Sequence, residues 1–131
     1  MPIVDTSLIK STRVAAPFER ELKVVMSPET HPGEVTDFTL LLATLAPNGG
    51  CTDFHAHESS GELMVITAGN GKAWLAGVEH ELKPGIAMYA PPGVEHKTMN
   101  TGVDPLVIVC VFVPPASADY IKAQINAAEA G

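Results

Sequence analysis

Four residues in two separate segments have the types and spacing of a metal site. His55 and His57 are separated by one residue, Glu62 follows shortly after them, and His96 lies in a later segment rich in Gly and Pro. Side chains at positions i and i+2 of a strand project from the same face, so His55 and His57 could bind one ion. Imidazole suits borderline divalent ions, and a carboxylate adds charge and favours octahedral ones. A His-x-His pair alone also fits two ordinary surface or core histidines.

The residues around these four candidates extend the pattern into two motifs. They are Gly49, His55, His57, Glu62 and Gly69, followed by Gly85, Pro91, Gly93, His96 and Asn100. Position for position, both segments resemble the two signature motifs of the cupin superfamily over roughly residues 49–100. Agreement across two separated motifs is more specific than one short pattern. The resemblance implies that His55, His57, Glu62 and His96 bind one divalent transition metal (Fe, Mn, Ni, Co, Cu or Zn).

The same resemblance implies an all-β fold, the RmlC-like jelly-roll barrel of the cupins, with six to eight strands. The chain itself predicts strands at 36–46, 51–57, 62–67, 72–76, 78–82, 86–90, 94–101 and 106–113. The Asn70-Gly71 pair predicts a hairpin turn. Ser117 can cap a C-terminal helix over about 117–129. We therefore expect a single domain over residues 1–131, with its barrel core at about 36–113.

Composition limits the class of partner. The chain has 131 residues and a net charge of −7, and its only arginines are Arg13 and Arg20. Binding to nucleic acid requires clustered cations, so a small molecule is the expected partner. The sequence shows neither a long apolar run nor signal-peptide features, which predicts a cytoplasmic protein without a membrane segment. The apolar stretch at 2–14 could pair with a neighbouring subunit, which predicts a homodimer.

Strand alternation suggests which other side chains line the pocket. Met64 shares a face with Glu62, Thr98 shares one with His96, and Tyr89 is a further candidate for substrate contact. Cys51 and Cys110 are expected to be free thiols. Cys51 falls on the face of His55 and His57, although a small buried hydrophobe is the simpler interpretation.

Two further residues are expected to have structural roles rather than to bind the metal. Cys110 lies in an uninterrupted apolar run, and we interpret it as a packing residue. Asn100 fits a backbone-bonding role and is left out of the metal shell.

No arginine follows Arg20, and only lysines could supply a cation after the first motif begins. A small dianionic substrate is therefore disfavoured.

The presence of Glu62 distinguishes the chain from thiol-dioxygenase cupins and makes it similar to the quercetinase, acireductone dioxygenase and germin branches. Four protein ligands leave two octahedral positions for a substrate and dioxygen. The leading hypothesis is a dioxygenase acting on a small oxygenated compound, in which Glu62 also accepts a substrate proton. A non-redox isomerase, dehydratase or lyase, and a cupin that binds a ligand without turnover, are the alternatives.

Overall fold

The computed structural model describes residues 1–130, with side chains through 128, and this part of the chain contains nine strands and one α-helix. The strands are β1 (Thr12–Val14), β2 (Arg20–Met26), β3 (Thr39–Leu45), β4 (Gly61–Ala68), β5 (Gly71–Leu75), β6 (Val78–Leu82), β7 (Ala87–Ala90), β8 (His96–Asn100) and β9 (Leu106–Val113). The helix, α1, is Ala118–Ala130, and a 3₁₀ turn covers Thr6–Leu8. The predicted all-β fold with a short C-terminal helix is confirmed.

The strands form two antiparallel sheets. One has six strands in the order β1-β2-β3-β9-β4-β7, and the other has three in the order β6-β5-β8. The sheets do not close completely, but the arrangement is that of a jelly roll. Strands β3 and β9 alternate between buried and half-buried residues along most of their length. Their inward apolar side chains, with those of β4, fill the space between the sheets.

Strand β2 lies outside the predicted barrel core, yet it pairs with β3 along most of its length. The run Arg20–Met26 does not alternate cleanly between polar and apolar residues, and a register shift falls between Val24 and Met26. Because of this irregularity, the sequence pattern does not predict the strand. The six-stranded sheet therefore begins before residue 36.

The predicted strand at 51–57 is wrong as a continuous element. This segment makes only isolated bridges to β8, at Cys51 with Met99 and at His55 with His96. Asp53 and Phe54 between them are exposed. Residues 51–57, here called the rim segment, run along β8 and pair with it at these two places only.

The Asn70-Gly71 hairpin is also a wrong prediction. Strand β4 pairs with β7 and β9, whereas β5 pairs with β6 and β8, so the turn between β4 and β5 crosses from one sheet to the other. The tight hairpin occurs one strand later, between β5 and β6. There Ala76 and Gly77 both have positive φ, 49° and 80°. Two successive positive φ angles are the requirement of a type I′ hairpin turn.

Asn100 holds the end of β8 against its neighbours. Its side chain is fully buried and donates to the carbonyls of Leu45 and Asp104, while its Oδ1 accepts from the N–H of Gly102. The predicted backbone-bonding role of Asn100 is therefore confirmed.

The two ends of the chain pack against the six-stranded sheet. Strand β1 pairs with β2 of the same chain, and helix α1 contacts both of them. The Ser117 hydroxyl accepts from the N–H of Tyr120, as predicted for a helix cap. None of the helices in the described residues has the length and apolar character needed to cross a membrane.

Candidate metal centre

The fold brings the four predicted ligands into one cluster. His55 and His57 come from the rim segment, Glu62 from the start of β4 and His96 from the start of β8. One potential ligand atom from each residue lies within 4.8 Å of the others, so the group could hold a metal ion. Glu62 and His96 are buried, and the other two are half-buried.

Hydrogen bonds fix the orientation of two imidazoles. The Nδ1–H of His55 donates to the Asp53 carbonyl at 2.7 Å, and that of His96 donates to the Val94 carbonyl at 3.0 Å. Because a carbonyl can only accept, Nδ1 carries the proton and the Nε2 lone pair is available for a ligand. Histidines that bind metals are commonly held in this way.

Glu62 is the charged partner of two imidazoles. Its Oε1 lies 3.1 Å from His96 Nε2 and 3.2 Å from His57 Nε2. Burial raises the pKa of Glu62, but the contacts with His57 and His96 outweigh this effect and lower the pKa to about 2. The carboxylate is therefore ionised at neutral pH.

His96 Nε2 and Glu62 Oε1 require either a proton or a metal ion between them. With Nδ1 protonated, a neutral His96 would direct a lone pair at a carboxylate oxygen only 3.1 Å away. A proton on Nε2 resolves this repulsion, and although burial lowers the pKa of His96, the Glu62 bond raises it overall. A divalent metal would satisfy the same two atoms and displace that proton.

His57 provides a further sign that the cluster suits a metal. Its Nε2 is buried and has no hydrogen-bond partner among the described residues, because its 3.2 Å contact with Glu62 lacks hydrogen-bonding geometry. A buried polar atom without a partner is costly. The ring is fixed by edge-to-face packing on Phe112, with 4.8 Å between centroids. An ion in this position would give the nitrogen its missing partner.

The cluster opens into a cavity of about 380 Å³. Its walls come from β2, β3, β4, β9, the rim segment and α1, and its lining residues include Arg20, Leu22, Leu41, Ala43, Thr52, Met64, Cys110, Phe112 and Tyr120. This volume fits a small organic molecule.

Met64 lines the cavity as predicted, but the other two pocket candidates do not. Thr98 is buried behind the lining, and its N–H donates to the hydroxyl of Thr52, which does line the cavity. Tyr89 lies on the outer face of β7, opposite Leu63 and half exposed. Strand β7 places alternate residues on opposite faces, and the position of Tyr89 is the outward one.

Both cysteines are free thiols, as predicted, and Cys51 is a small buried residue outside the cavity, in agreement with the simpler of its two interpretations. The Cys51 thiol points to the Pro17 carbonyl, away from the cavity. Cys110 on β9 lines the cavity, where burial and the nearby Glu62 raise the pKa of its thiol well above the usual value. The thiol therefore stays neutral. The sequence does not reveal this position, because an all-apolar strand gives no sign of which face is inward.

Arg20 and Tyr120 are two further cavity residues that sequence reasoning does not identify. Tyr120 is on α1, and burial and the charge of Glu62 raise its pKa to about 12 against an opposing influence of Arg20. Arg20 begins β2, far from both motifs. Its presence corrects the expectation that the pocket has no arginine to hold an anionic substrate. Arg20 and Leu22 lie two residues apart on one strand and therefore share a face, which is a signal in the sequence. Only the pairing of β2 with β3 shows that this face is the inward one.

The Glu62–His96 pair predicts a pH-dependent stability of the metal-free protein. Glu62 titrates near 4.5 when unfolded and near 2 when folded, so its contribution is lost as pH falls between these values. The pKa of His96 is raised above 6.5, so its contribution is lost as pH rises past that value. We expect Glu62→Gln to reduce the free energy of unfolding most between about pH 4.5 and 6.5.

Urea unfolding of the metal-free wild type and variant at pH 3, 5.5 and 8.5 measures this difference. Glu58→Gln is the matched control, because Glu58 is an exposed carboxylate in the segment that precedes β4. A Glu62→Gln effect that is equal at all three pH values would contradict the assigned charges.

Comparison with known proteins identifies the family. The model of the Cupin domain matches residues 41–112, which include all four candidate ligands. An uncharacterized protein of Methanocaldococcus jannaschii is 38% identical over 77 residues, covering 59% of this chain and 62% of that protein. The glucose-6-phosphate isomerase of Pyrococcus horikoshii is 32% identical over 72 residues, covering 51% and 38%. The chain thus spans less than two thirds of these curated relatives.

Solved structures agree on the fold. The crystal structure of a predicted oxalate decarboxylase from Thermotoga maritima superposes with a TM-score of 0.75 and 23% identity, covering 86% of this chain and 99% of that one. At this level of identity, the likeness concerns architecture and leaves the reaction open.

Proposed function

The chain belongs to the cupin family, and from this premise we propose that it is a divalent-metal-dependent enzyme acting on a small oxygenated organic molecule. The observation that carries the proposal is the convergence of His96 Nε2 and Glu62 Oε1 at 3.1 Å, beside a buried His57 Nε2 that lacks a partner among the described residues. A divalent ion would satisfy these atoms, and they face a cavity with room for a substrate.

The residues of the site have distinct roles in this proposal. His55, His57, Glu62 and His96 would hold the ion, which would supply Lewis-acid polarisation of a substrate oxygen and, for redox-active metals, electron transfer. Met64 and Phe112 form an apolar wall of the cavity. Glu62, which is ionised in the metal-free state at neutral pH, would also accept a substrate proton on a carboxylate oxygen.

For the reaction, we propose oxygen insertion by a dioxygenase. Three imidazoles and one carboxylate suit the redox-active ions Fe, Mn, Ni, Co and Cu, and a six-coordinate ion would keep two positions for exogenous molecules. The apolar wall is compatible with dioxygen entry.

A non-redox reaction is the second candidate, and a specific observation favours it. The glucose-6-phosphate isomerase of Pyrococcus horikoshii is 32% identical to this chain, and the alignment covers about half of the chain. An isomerase would use the same metal to polarise a carbonyl and the same Glu62 to move a proton, without dioxygen.

One experiment separates these possibilities. Protein purified without added metal is analysed for metal content, and oxygen uptake is then followed with enolic, flavonoid and 1,3-dicarbonyl compounds. Conversion of glucose 6-phosphate to fructose 6-phosphate is assayed in parallel. We expect near-stoichiometric transition metal and substrate-dependent oxygen uptake. Bound metal with isomerisation alone would favour the second candidate, and bound metal with no turnover would favour a binding protein. Absence of bound metal after reloading would refute the proposal.

A further inference from the structure

Arg20 places a positive charge in the wall of the cavity that contains the metal centre. It is the first residue of β2, and its half-buried side chain lines the cavity together with Thr52, Asp53 and His55. Its Nη1 donates to the carbonyls of Phe18 at 2.9 Å and Cys51 at 3.3 Å. These two bonds hold the guanidinium in one position.

No carboxylate of the described residues lies within ion-pair distance of Arg20. The other arginine, Arg13, behaves differently, because it is exposed and forms an ion pair with Glu21 at 2.8 Å. In a chain with 15 acidic and eight basic residues, unpaired positive charge inside a cavity is unexpected for a purely structural arginine. Asp53 lines the same cavity, but it is exposed and its Oδ1 accepts from the N–H of Phe54.

The guanidinium retains donors for a ligand. It has five N–H groups in a planar fork, and the two carbonyl bonds use only those on Nη1. The edge formed by Nε and Nη2 matches the two oxygens of a carboxylate, and such paired bonds are among the strongest polar contacts. One cavity of about 380 Å³ therefore contains both a metal-binding cluster and a fixed cation.

We propose that Arg20 anchors a carboxylate of the substrate while another oxygen of the same molecule is directed to the cluster of His55, His57, Glu62 and His96. The substrate class is then a small organic acid with a second oxygen function. The second contact rests on the proposed function, whereas the anchoring contact is made by Arg20 itself. Arg20 is thus a residue that determines specificity.

Calorimetric titration with malonate tests the inference, with neutral malonamide as the uncharged analogue. The proteins are wild type, Arg20→Met and the control Arg13→Met, each loaded with Mn²⁺ and checked for equal metal content. We expect Arg20→Met to weaken malonate binding by about 10- to 100-fold. Malonamide binding, and malonate binding by Arg13→Met, should stay within about twofold of wild type. Failure of the wild type to bind malonate, or equal malonate affinity in wild type and Arg20→Met, would overturn the inference.

Two additions keep the test decisive. Arg20→Gln removes the charge but retains an N–H₂ group for the Phe18 and Cys51 carbonyls, so it replaces Arg20→Met if that variant does not fold. Malonate titration is also repeated on metal-free protein, which is prepared with a chelator that is removed by dialysis before the titration. Arg20-dependent binding in a chain that never retains metal would uphold the anchor and refute the proposed function. Metal retention with Arg20-independent binding would refute the anchor and leave the proposed function standing.

Discussion

Replacing His96 with alanine should lower the affinity for divalent metal by at least about 100-fold, so that protein purified without added metal retains almost none. His96 contributes the most buried imidazole of the cluster, and its Nε2 lies 3.1 Å from the carboxylate of Glu62. The variant removes one ligand and also the group that orients another. Metal content after purification and after reloading with Mn²⁺, followed by dialysis, measures the change.

The fold should survive this substitution, because His96 is not a member of the apolar core cluster. Circular dichroism in the far ultraviolet should therefore match the wild type. His80→Ala is the matched control, since His80 is exposed on β6 and outside the cluster. Wild-type metal content in His96→Ala, in a protein with an intact spectrum, would show that the ligand assignment is wrong.

The cluster of four candidate ligands could be predicted because its chemistry is expressed in residue type and spacing. His55 and His57 remain on one side of their segment even though the segment pairs with β8 only at isolated bridges. Glu62, Met64 and Ile66 alternate inward along β4 as expected. A site built from short-range patterns can therefore be recognised in the sequence.

Pairing between distant strands could not be predicted in the same way. The turn at Asn70-Gly71 has the residues of a hairpin, but β5 satisfies its hydrogen bonds with β6 and β8 rather than with β4. The positive φ angles of the tight hairpin belong to Ala76 and Gly77 instead. Which strands pair depends on how side chains are buried across the whole domain, and the residues of a single turn do not reveal this.

The wall of the cavity was the least predictable part of the site. Arg20 and Cys110 reach it from β2 and β9, which lie on either side of β3 in the six-stranded sheet. Their inward direction follows from registers with β3, where Leu22 pairs with Ala43 and Leu41 with Cys110. A one-residue change of register would turn these side chains outward. Sequence alternation gives two equivalent faces and does not choose between them.

Replacing Phe112 with alanine should have the second large effect, a loss of about 3–5 kcal/mol in the free energy of unfolding. Phe112 is only 2% exposed and is one of the largest fully buried side chains of the core. Its removal leaves a cavity, because the strands on both sides of β9, β3 and β4, are fixed by their ladders. The transition temperature should fall by roughly 10–20 °C. Urea and thermal unfolding of the metal-free protein measure both quantities.

The same substitution links the core to the site. The Phe112 ring packs edge-to-face on His57 at 4.8 Å, so its loss gives that imidazole new freedom and should weaken metal binding by about 10-fold. Val113→Ala is the control, since Val113 follows on the same strand, is 48% exposed and should cost less than about 1 kcal/mol. Equal destabilisation by the two variants would mean that Phe112 does not fill the core. Unchanged metal affinity in a destabilised Phe112→Ala would instead show that the remaining ligands alone hold His57 in place.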